Sequence, residues 1–163
     1  MEDDSGQMVE DAYEEEAQAA IAELFEAYRA GFDDYDPHAI ADCFAFPVTI
    51  WQFGRGTHFA DEEELLENIE KLLEALEKED VVHSDFEVIS AHVSGTTALV
   101  SLAWSQDDGD DEPILEFTCH YHLMLEGEDW LCHSALSQYM NAGLLTAREV
   151  GEAVLEAHAQ HDL

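Results

Sequence analysis

The stretch FTCHYHLMLEGEDW, residues 117–130, carries three side chains whose types and spacing suit a metal site. His120, His122 and Glu126 follow the pattern H-x-H-x3-E. Imidazole nitrogens suit Zn, Cu, Fe and Ni, and carboxylates complete several such sites. A pattern this short also arises by chance. The metal hypothesis therefore depends on the face of the strand that these residues occupy.

Alternation along this segment separates a polar row from an apolar row, because successive side chains of a strand point to opposite faces. The polar row consists of Thr118, His120, His122, Met124 and Glu126. The apolar row consists of Phe117, Cys119, Tyr121, Leu123 and Leu125. We expect the apolar row to face the core, which directs both histidines outward. Metal binding by His120, His122 and Glu126 is then the third-ranked hypothesis, and no metal or other cofactor is predicted.

The elements that position these rows follow from the apolar periodicity. A helix over about residues 11–30, a short helix capped by Asp36, and a strand beginning after Pro47 are predicted first. A turn and a short return follow, and then a helix beginning at Asp61, where Glu64 completes a capping box. From residue 82 the period changes to two, which predicts antiparallel strands near 82–94, 97–106, 114–126 and 129–140.

This pattern divides the chain into three parts. Residues 1–10 are expected to form a disordered acidic N-terminus, residues 11–140 one domain, and residues 141–163 a C-terminal amphipathic helix. The predicted fold class is α+β, with the helices on one face of a curved sheet.

The charge balance is extreme, with 39 Asp and Glu against 5 Lys and Arg and a formal net charge of −34. Such a charge destabilises the compact state through self-repulsion, and molar salt screens that repulsion. The acids are spread along the whole chain, which predicts adaptation to a salt-rich cytosol. An acidic protein from an ordinary cell is the alternative. Nucleic acid and anionic membranes are not expected as partners.

The cysteines and the termini predict a cytoplasmic protein. Cys43, Cys119 and Cys132 are odd in number and not in C-x-x-C spacing, so we expect buried thiols in a reducing compartment. The first residues, MEDDSGQMVEDAYEEEA, have no basic region and no apolar run, unlike a secretion signal. We found no apolar stretch of the length that spans a membrane.

Several short motifs together resemble one superfamily. They are DYDPHAIADCFAFPVTIW, the following GTHFADEEELL, the strand GTTALVSLAW and the closing GEDWLCHSALS. With the order of elements, they resemble the nuclear transport factor 2-like superfamily, also called SnoaL-like, over about residues 12–139. The resemblance implies a cone in which a strongly curved mixed or antiparallel sheet wraps the N-terminal helices. It also implies a pocket at the wide end and a homodimer formed through the outer face of the sheet.

The resemblance leaves two main functional hypotheses open. The first is a binding or scaffold domain with a mostly apolar pocket for an unidentified small molecule, lined by Tyr28, Trp51, Phe53, Trp104, Tyr121 and His133. The second is a cofactor-independent isomerase, dehydratase or hydrolase using His133, Tyr121 or Asp42 as acid or base. The face of His133 is not fixed by the pattern, and Asp42 also suits a solvated helix position. Arg55 pairs with an acid or meets an anionic ligand at the rim.

The metal pattern itself is that of the cupins, which are all-β barrels. Their motif expects Gly six residues before the first His, where this chain has Ile114. It also expects Gly seven residues after the Glu, where this chain has His133. The helical segments and these two departures favour a chance match.

Overall fold

Helices and strands follow one another in the predicted order. The computed structural model describes residues 3–52, 55–110 and 113–139. Its elements are α1 (Asp3–Asp33), α2 (Pro37–Ala41), β1 (Phe44–Gln52), β2 (Arg55–Phe59), α3 (Glu62–Lys78), β3 (His83–Ser94), β4 (Thr97–Asp107), β5 (Pro113–Glu126) and β6 (Asp129–Tyr139). The predicted C-terminal helix lies outside the described residues. The division of the chain into three parts stays a prediction.

Two boundaries in the N-terminal third differ from the prediction. α1 begins at Asp3, ahead of the expected start near residue 11. β1 begins at Phe44, ahead of Pro47, where the sequence predicts helix. Proline lacks the N–H that a strand ladder uses. It is tolerated here because the register between β1 and β6 is irregular between Phe44 and Thr49.

One six-stranded sheet, in the order β2-β1-β6-β5-β4-β3, forms the wall of the domain. β3, β4, β5 and β6 are an antiparallel meander, as predicted. β1 pairs with β2 antiparallel and with β6 parallel, so the sheet is mixed. The α+β architecture with helices against one face of a mixed sheet agrees with the predicted fold class.

Side-chain caps fix where the helices begin. The Asp36 carboxylate accepts hydrogen bonds from the backbone N–H groups of His38 and Ala39, at 3.1 and 3.2 Å. At α3, Asp61 Oδ1 accepts from Glu64 N at 3.0 Å, and Glu64 Oε2 accepts from Ala60 N at 2.8 Å. Such caps contribute about 1 kcal/mol each, and both were predicted.

Apolar stripes of the helices pack on the concave side of the sheet. α1 buries Ala17, Ile21, Phe25 and Phe32, and α3 buries Leu65, Ile69, Leu73 and Leu76. The acidic residues lie on the opposite faces, where water screens their repulsion. No helix in the described part of the chain combines the length and apolar character needed to cross a membrane.

The alternation predicted for β5 is present. Cys119, Tyr121 and Leu123 are buried on the inner face, while His120 and His122 are half-buried on the outer face. On β6 the alternation changes phase, because Trp130, Cys132 and Ala135 are the buried residues. The register to β5 shifts between His122 and Leu123, which leaves His133 as the extra residue of a β-bulge.

Candidate functional site

A cavity of about 70 Å³ lies between the helices and the inner face of the sheet. Residues of α1, α2 and α3 form its helical side, and residues of β1, β4, β5 and β6 form its sheet side. Six aromatic residues contribute to its wall: Tyr28, Phe32, Phe44, Trp104, Phe117 and Tyr121. The cavity is therefore predominantly apolar, as small-molecule sites usually are.

The aromatic wall is held by ring contacts centred on Tyr28. Its ring meets those of Phe32, Phe44 and Trp104 edge to face, with centroids 5.1, 5.8 and 5.8 Å away. Edge-to-face pairs are favourable because the positive ring edge meets the negative ring face. Trp104 also stacks on Phe117, with centroids 6.2 Å apart. These contacts fix the shape of the cavity.

Tyr121 and Trp104 supply polar groups within this wall. Trp104 Nε1 donates a buried hydrogen bond of 2.9 Å to the Tyr121 hydroxyl. Burial raises the pKa of Tyr121 well above its ordinary value, and Cys119 and Tyr28 raise it further. Tyr121 therefore stays protonated near neutral pH and acts as a hydrogen-bonding group, not as a base.

Three side-chain amides also line the cavity, and they belong to Gln52, Asn68 and Gln106. Gln106 Nε2 donates to Ser84 Oγ at 3.1 Å, and Ser84 N donates to Asp33 Oδ1 at 2.7 Å. These two hydrogen bonds connect the side-chain amide of Gln106, through Ser84, to the end of α1. Asn68 lies in the apolar stripe of α3 and is 5% exposed.

The described wall of the cavity is free of carboxylate, imidazole, ammonium and guanidinium groups. None of the described residues that line it is Asp, Glu, His, Lys or Arg. General acid–base catalysis needs a group whose pKa lies near the working pH and that reaches the substrate. This wall can enclose, orient and hydrogen-bond a molecule, and its described residues do not include a pair of proton-transfer groups.

The predicted pocket residues divide into three groups. Tyr28, Trp104 and Tyr121 line the cavity. Trp51 lies on the outer face and is 45% exposed, because its neighbours Ile50 and Gln52 face inward. Phe53 lies outside the described residues, as does the side chain of Arg55.

His133 and Asp42, the other acid–base candidates, are not in the cavity wall. His133 belongs to the bulge of β6, and its Nε2 lies 3.3 Å from Glu126 Oε1, without the alignment of a hydrogen bond. His133 is not among the residues that line this cavity, because the bulge gives the inward position on β6 to Ala135. Asp42 is exposed at the C-cap of α2, in agreement with the solvated interpretation.

The alternative metal set is not assembled. Within the described ranges, no group of three or more His, Cys, Asp or Glu residues could hold a metal ion. His120 Nδ1 instead lies 2.7 Å from Ser101 Oγ on the neighbouring strand. Both histidines point outward, as the alternation of β5 predicts.

Sequence reasoning missed the three amides. The sequence could have indicated Asn68, since it lies between Leu65 and Leu72 at a position where the helical periodicity predicts an apolar residue. Gln52 and Gln106 lie at the ends of strands, where a polar residue is ordinary. Only the three-dimensional structure shows that these two face the cavity.

Comparisons with known proteins agree with this fold. Among curated proteins, none matches this sequence. A protein of unknown function from Mycobacterium tuberculosis has a similar structure, with a TM-score of 0.70, 14% identity and 93% of each chain covered.

Two further structures carry more specific descriptions. A ketosteroid isomerase-like protein from Erwinia carotovora atroseptica aligns with a TM-score of 0.57 and 17% identity, covering 76% of this chain and 95% of the other. A candidate dehydratase of the NTF2-like family from Streptomyces avermitilis aligns with a TM-score of 0.57 and 14% identity, covering 76% and 96%. At these identities the similarity establishes the fold alone. The sequence model of the NTF2-like (nuclear transport factor 2-like) proteins DUF6841 matches residues 14–139, and the chain belongs to this family.

Proposed function

We propose that this protein is a SnoaL-like binding domain that encloses a small molecule in its cavity without acid–base catalysis. The observation that supports this most is the composition of the wall, whose described residues combine aromatic rings and amides without a carboxylate, imidazole or ammonium group. Aromatic rings supply contact area, and a few placed polar groups supply orientation.

Filling the cavity tests this proposal. Ala135 is buried in the wall, so Ala135→Leu places added carbon atoms inside the cavity. In a library of small neutral compounds, we expect some to raise the melting temperature of the wild type. The same compounds should leave the melting temperature of Ala135→Leu unchanged. Ala27→Leu, at an exposed position of α1, is the matched control and should respond like the wild type. Equal responses of the wild type and Ala135→Leu would refute binding in the cavity.

The alternative function is a cofactor-independent isomerase, dehydratase or hydrolase. Two of the structural neighbours carry descriptions of this kind. Tyr121 supports this alternative, because a protonated phenol in an apolar site can donate a hydrogen bond to a developing oxyanion. Turnover of any bound compound that Tyr121→Phe abolishes, with binding retained, would replace the binding proposal by this one.

We propose that the outer face of the sheet joins two copies of the chain. Its centre, here called the outer patch, consists of Thr49, Trp51, Leu99, Ser101, Ala103, Thr118, His120, His122, Ser134 and Leu136. The outer patch contains no Asp or Glu, although acids make up 39 of the 163 residues. Leu99 and Leu136 are 60% and 41% exposed. An apolar surface of low charge is where two strongly acidic copies approach with least repulsion.

Mass measurement in solution tests the dimer. We expect a dimer by light scattering in molar KCl, and monomers for Leu136→Glu. Ala27→Glu adds the same charge at an exposed position of α1 and should remain dimeric. A monomeric wild type at micromolar concentration would contradict the proposal.

We further propose a high-salt cytoplasm as the working environment. The net charge of −34 and the burial of Cys43, Cys119 and Cys132 support this. Unfolding by urea should need less denaturant in 0.1 M than in 2 M KCl, because molar salt shortens the Debye length to about 3 Å. Equal midpoints in both salts would remove this proposal.

A further inference from the structure

Asn68 places an unsatisfied acceptor inside the cavity. Its side chain is buried, and its Oδ1 atom has no hydrogen-bond partner among the described residues. Asn68 is also part of the cavity wall. An unpaired buried carbonyl is unfavourable in an apolar environment.

The helix gives Asn68 no structural reason to be an amide. Its neighbours in the stripe, Leu65, Ile69 and Leu72, also line the cavity and are apolar. A leucine at position 68 would complete the stripe and remove the unsatisfied oxygen. The Asn68 side-chain oxygen occupies a position where an apolar residue would pack better. It therefore indicates a hydrogen-bond donor that enters the cavity.

The charge of that partner follows from the wall and from the whole chain. None of the described lining residues is ionic, so neither an anion nor a cation would find a counter-charge inside. Burial of an unpaired charge is strongly unfavourable. The net charge of −34 further opposes an anion. The occupant is therefore neutral.

The size of the cavity limits the occupant to a few atoms. Its volume of about 70 Å³ is small beside the pockets of roughly 300–1,000 Å³ that take drug-sized ligands. It is about half the volume of an apolar cavity of about 150 Å³ that takes benzene. A short alcohol matches this volume, and a single ring requires the lining side chains to move apart.

We propose that the cavity binds a small neutral molecule with an apolar frame and one O–H or N–H donor, and that this donor is directed to Asn68 Oδ1. This rests on the proposed binding function and adds the ligand class. The aromatic wall contacts the frame, and the side-chain carbonyl of Asn68 fixes the orientation of the ligand.

Four probe compounds and one substitution test the proposal. Phenol has a donor, benzaldehyde has an acceptor only, toluene has neither, and benzoate carries a charge. Calorimetric titration in molar KCl should show phenol binding about tenfold more tightly than toluene or benzaldehyde, since a hydrogen bond of about 1.4 kcal/mol corresponds to that factor. Benzoate should not bind measurably. In Asn68→Leu the preference for phenol over toluene should disappear.

A second measurement keeps the test independent of how well Asn68→Leu folds. In the wild type, the side-chain amide resonance of Asn68 should shift on addition of phenol and not on addition of toluene. Gln18, on α1 and exposed, is the internal control and should not shift.

The outcomes separate the two proposals. Equal affinity for phenol and toluene, or equal affinity for phenol and benzaldehyde, overturns the assignment of the donor and leaves cavity binding standing. Benzoate binding overturns the neutral class. No binding of any probe, with Ala135→Leu behaving like the wild type, overturns this proposal together with the proposed function.

Discussion

The two faces of β5 are built from neighbouring residues and have opposite properties. On the inner face, Cys119, Tyr121 and Leu123 are buried against the helices. On the outer face, His120 and His122 lie beside Ser101, Leu99 and other uncharged residues of the adjacent strands. The inner face excludes charge because it is dry, whereas the outer patch lacks Asp and Glu even though water reaches it. Burial explains the first, and contact with a second copy is our explanation for the second.

The largest expected difference between the two faces appears when a carboxylate is placed on each of them in turn. Leu123 is fully buried, so Leu123→Asp should lower the free energy of unfolding by more than about 4 kcal/mol or prevent folding. The adjacent His122→Asp should keep the circular dichroism of the wild type, because its side chain is outside. If His122→Asp unfolds the protein as well, the assignment of the two faces is wrong.

A smaller effect is expected from hydrogen bonds on the two faces. Tyr121→Phe removes the acceptor of Trp104 Nε1, which should reduce stability by about 1–3 kcal/mol because a buried donor is left unpaired. Ser101→Ala removes the contact of Ser101 Oγ with His120 Nδ1 on the outer face. Because water can replace that contact in the monomer, we expect a change within about 0.5 kcal/mol. Both substitutions are made in the Leu136→Glu variant, which we expect to be monomeric. Urea unfolding of the dilute variants then gives the two changes in the free energy of unfolding.

The smallest expected effect is a pH dependence of stability that arises from buried thiols. Burial, with a contribution from Asp42, raises the pKa of Cys43 to about 12, and burial raises the pKa of Cys132. Above pH 8.5 the unfolded chain loses thiol protons that the folded chain keeps. Stability is therefore complete below about pH 8.5 and should fall by about 1.4 kcal/mol per buried thiol by pH 9.5.

Urea unfolding at pH 7.5 and 9.5 measures this dependence. Cys43→Ala should lose part of the decrease, whereas His122→Ala, on the outer face, should retain all of it. A decrease of the same size in Cys43→Ala and the wild type would show that the Cys43 thiol is not the source.

The parts that sequence predicted well are those where one local pattern decides the structure. The alternation from Phe117 to Leu125 is uninterrupted, so it assigned both faces of β5. The apolar stripe and cap of α3 likewise gave its start at Asp61. The cavity wall was predicted in part, through Tyr28, Trp104 and Tyr121, because large aromatics on inward positions of these elements meet in the core.

The parts that it missed depend on pairing between distant segments. β1 pairs with β6 in parallel, and nothing local to either strand encodes that partner. The bulge at His133 mixes the two apolar rows of β6, which is why the alternation there could not assign a face. Gln52 and Gln106 reach the cavity through the same non-local arrangement.

The extra residue in β6 also has a consequence for how this family can diversify. Loss of His133 from the chain would remove the bulge, because Leu123 already pairs with Cys132 and His122 with Ser134. Cys132 and Ala135 would then keep facing the hollow, and Ser134 and Leu136 would keep facing outward. The loss of one codon at this position is therefore absorbed by the bulge, so β6 can change its length here while the lining of the hollow persists.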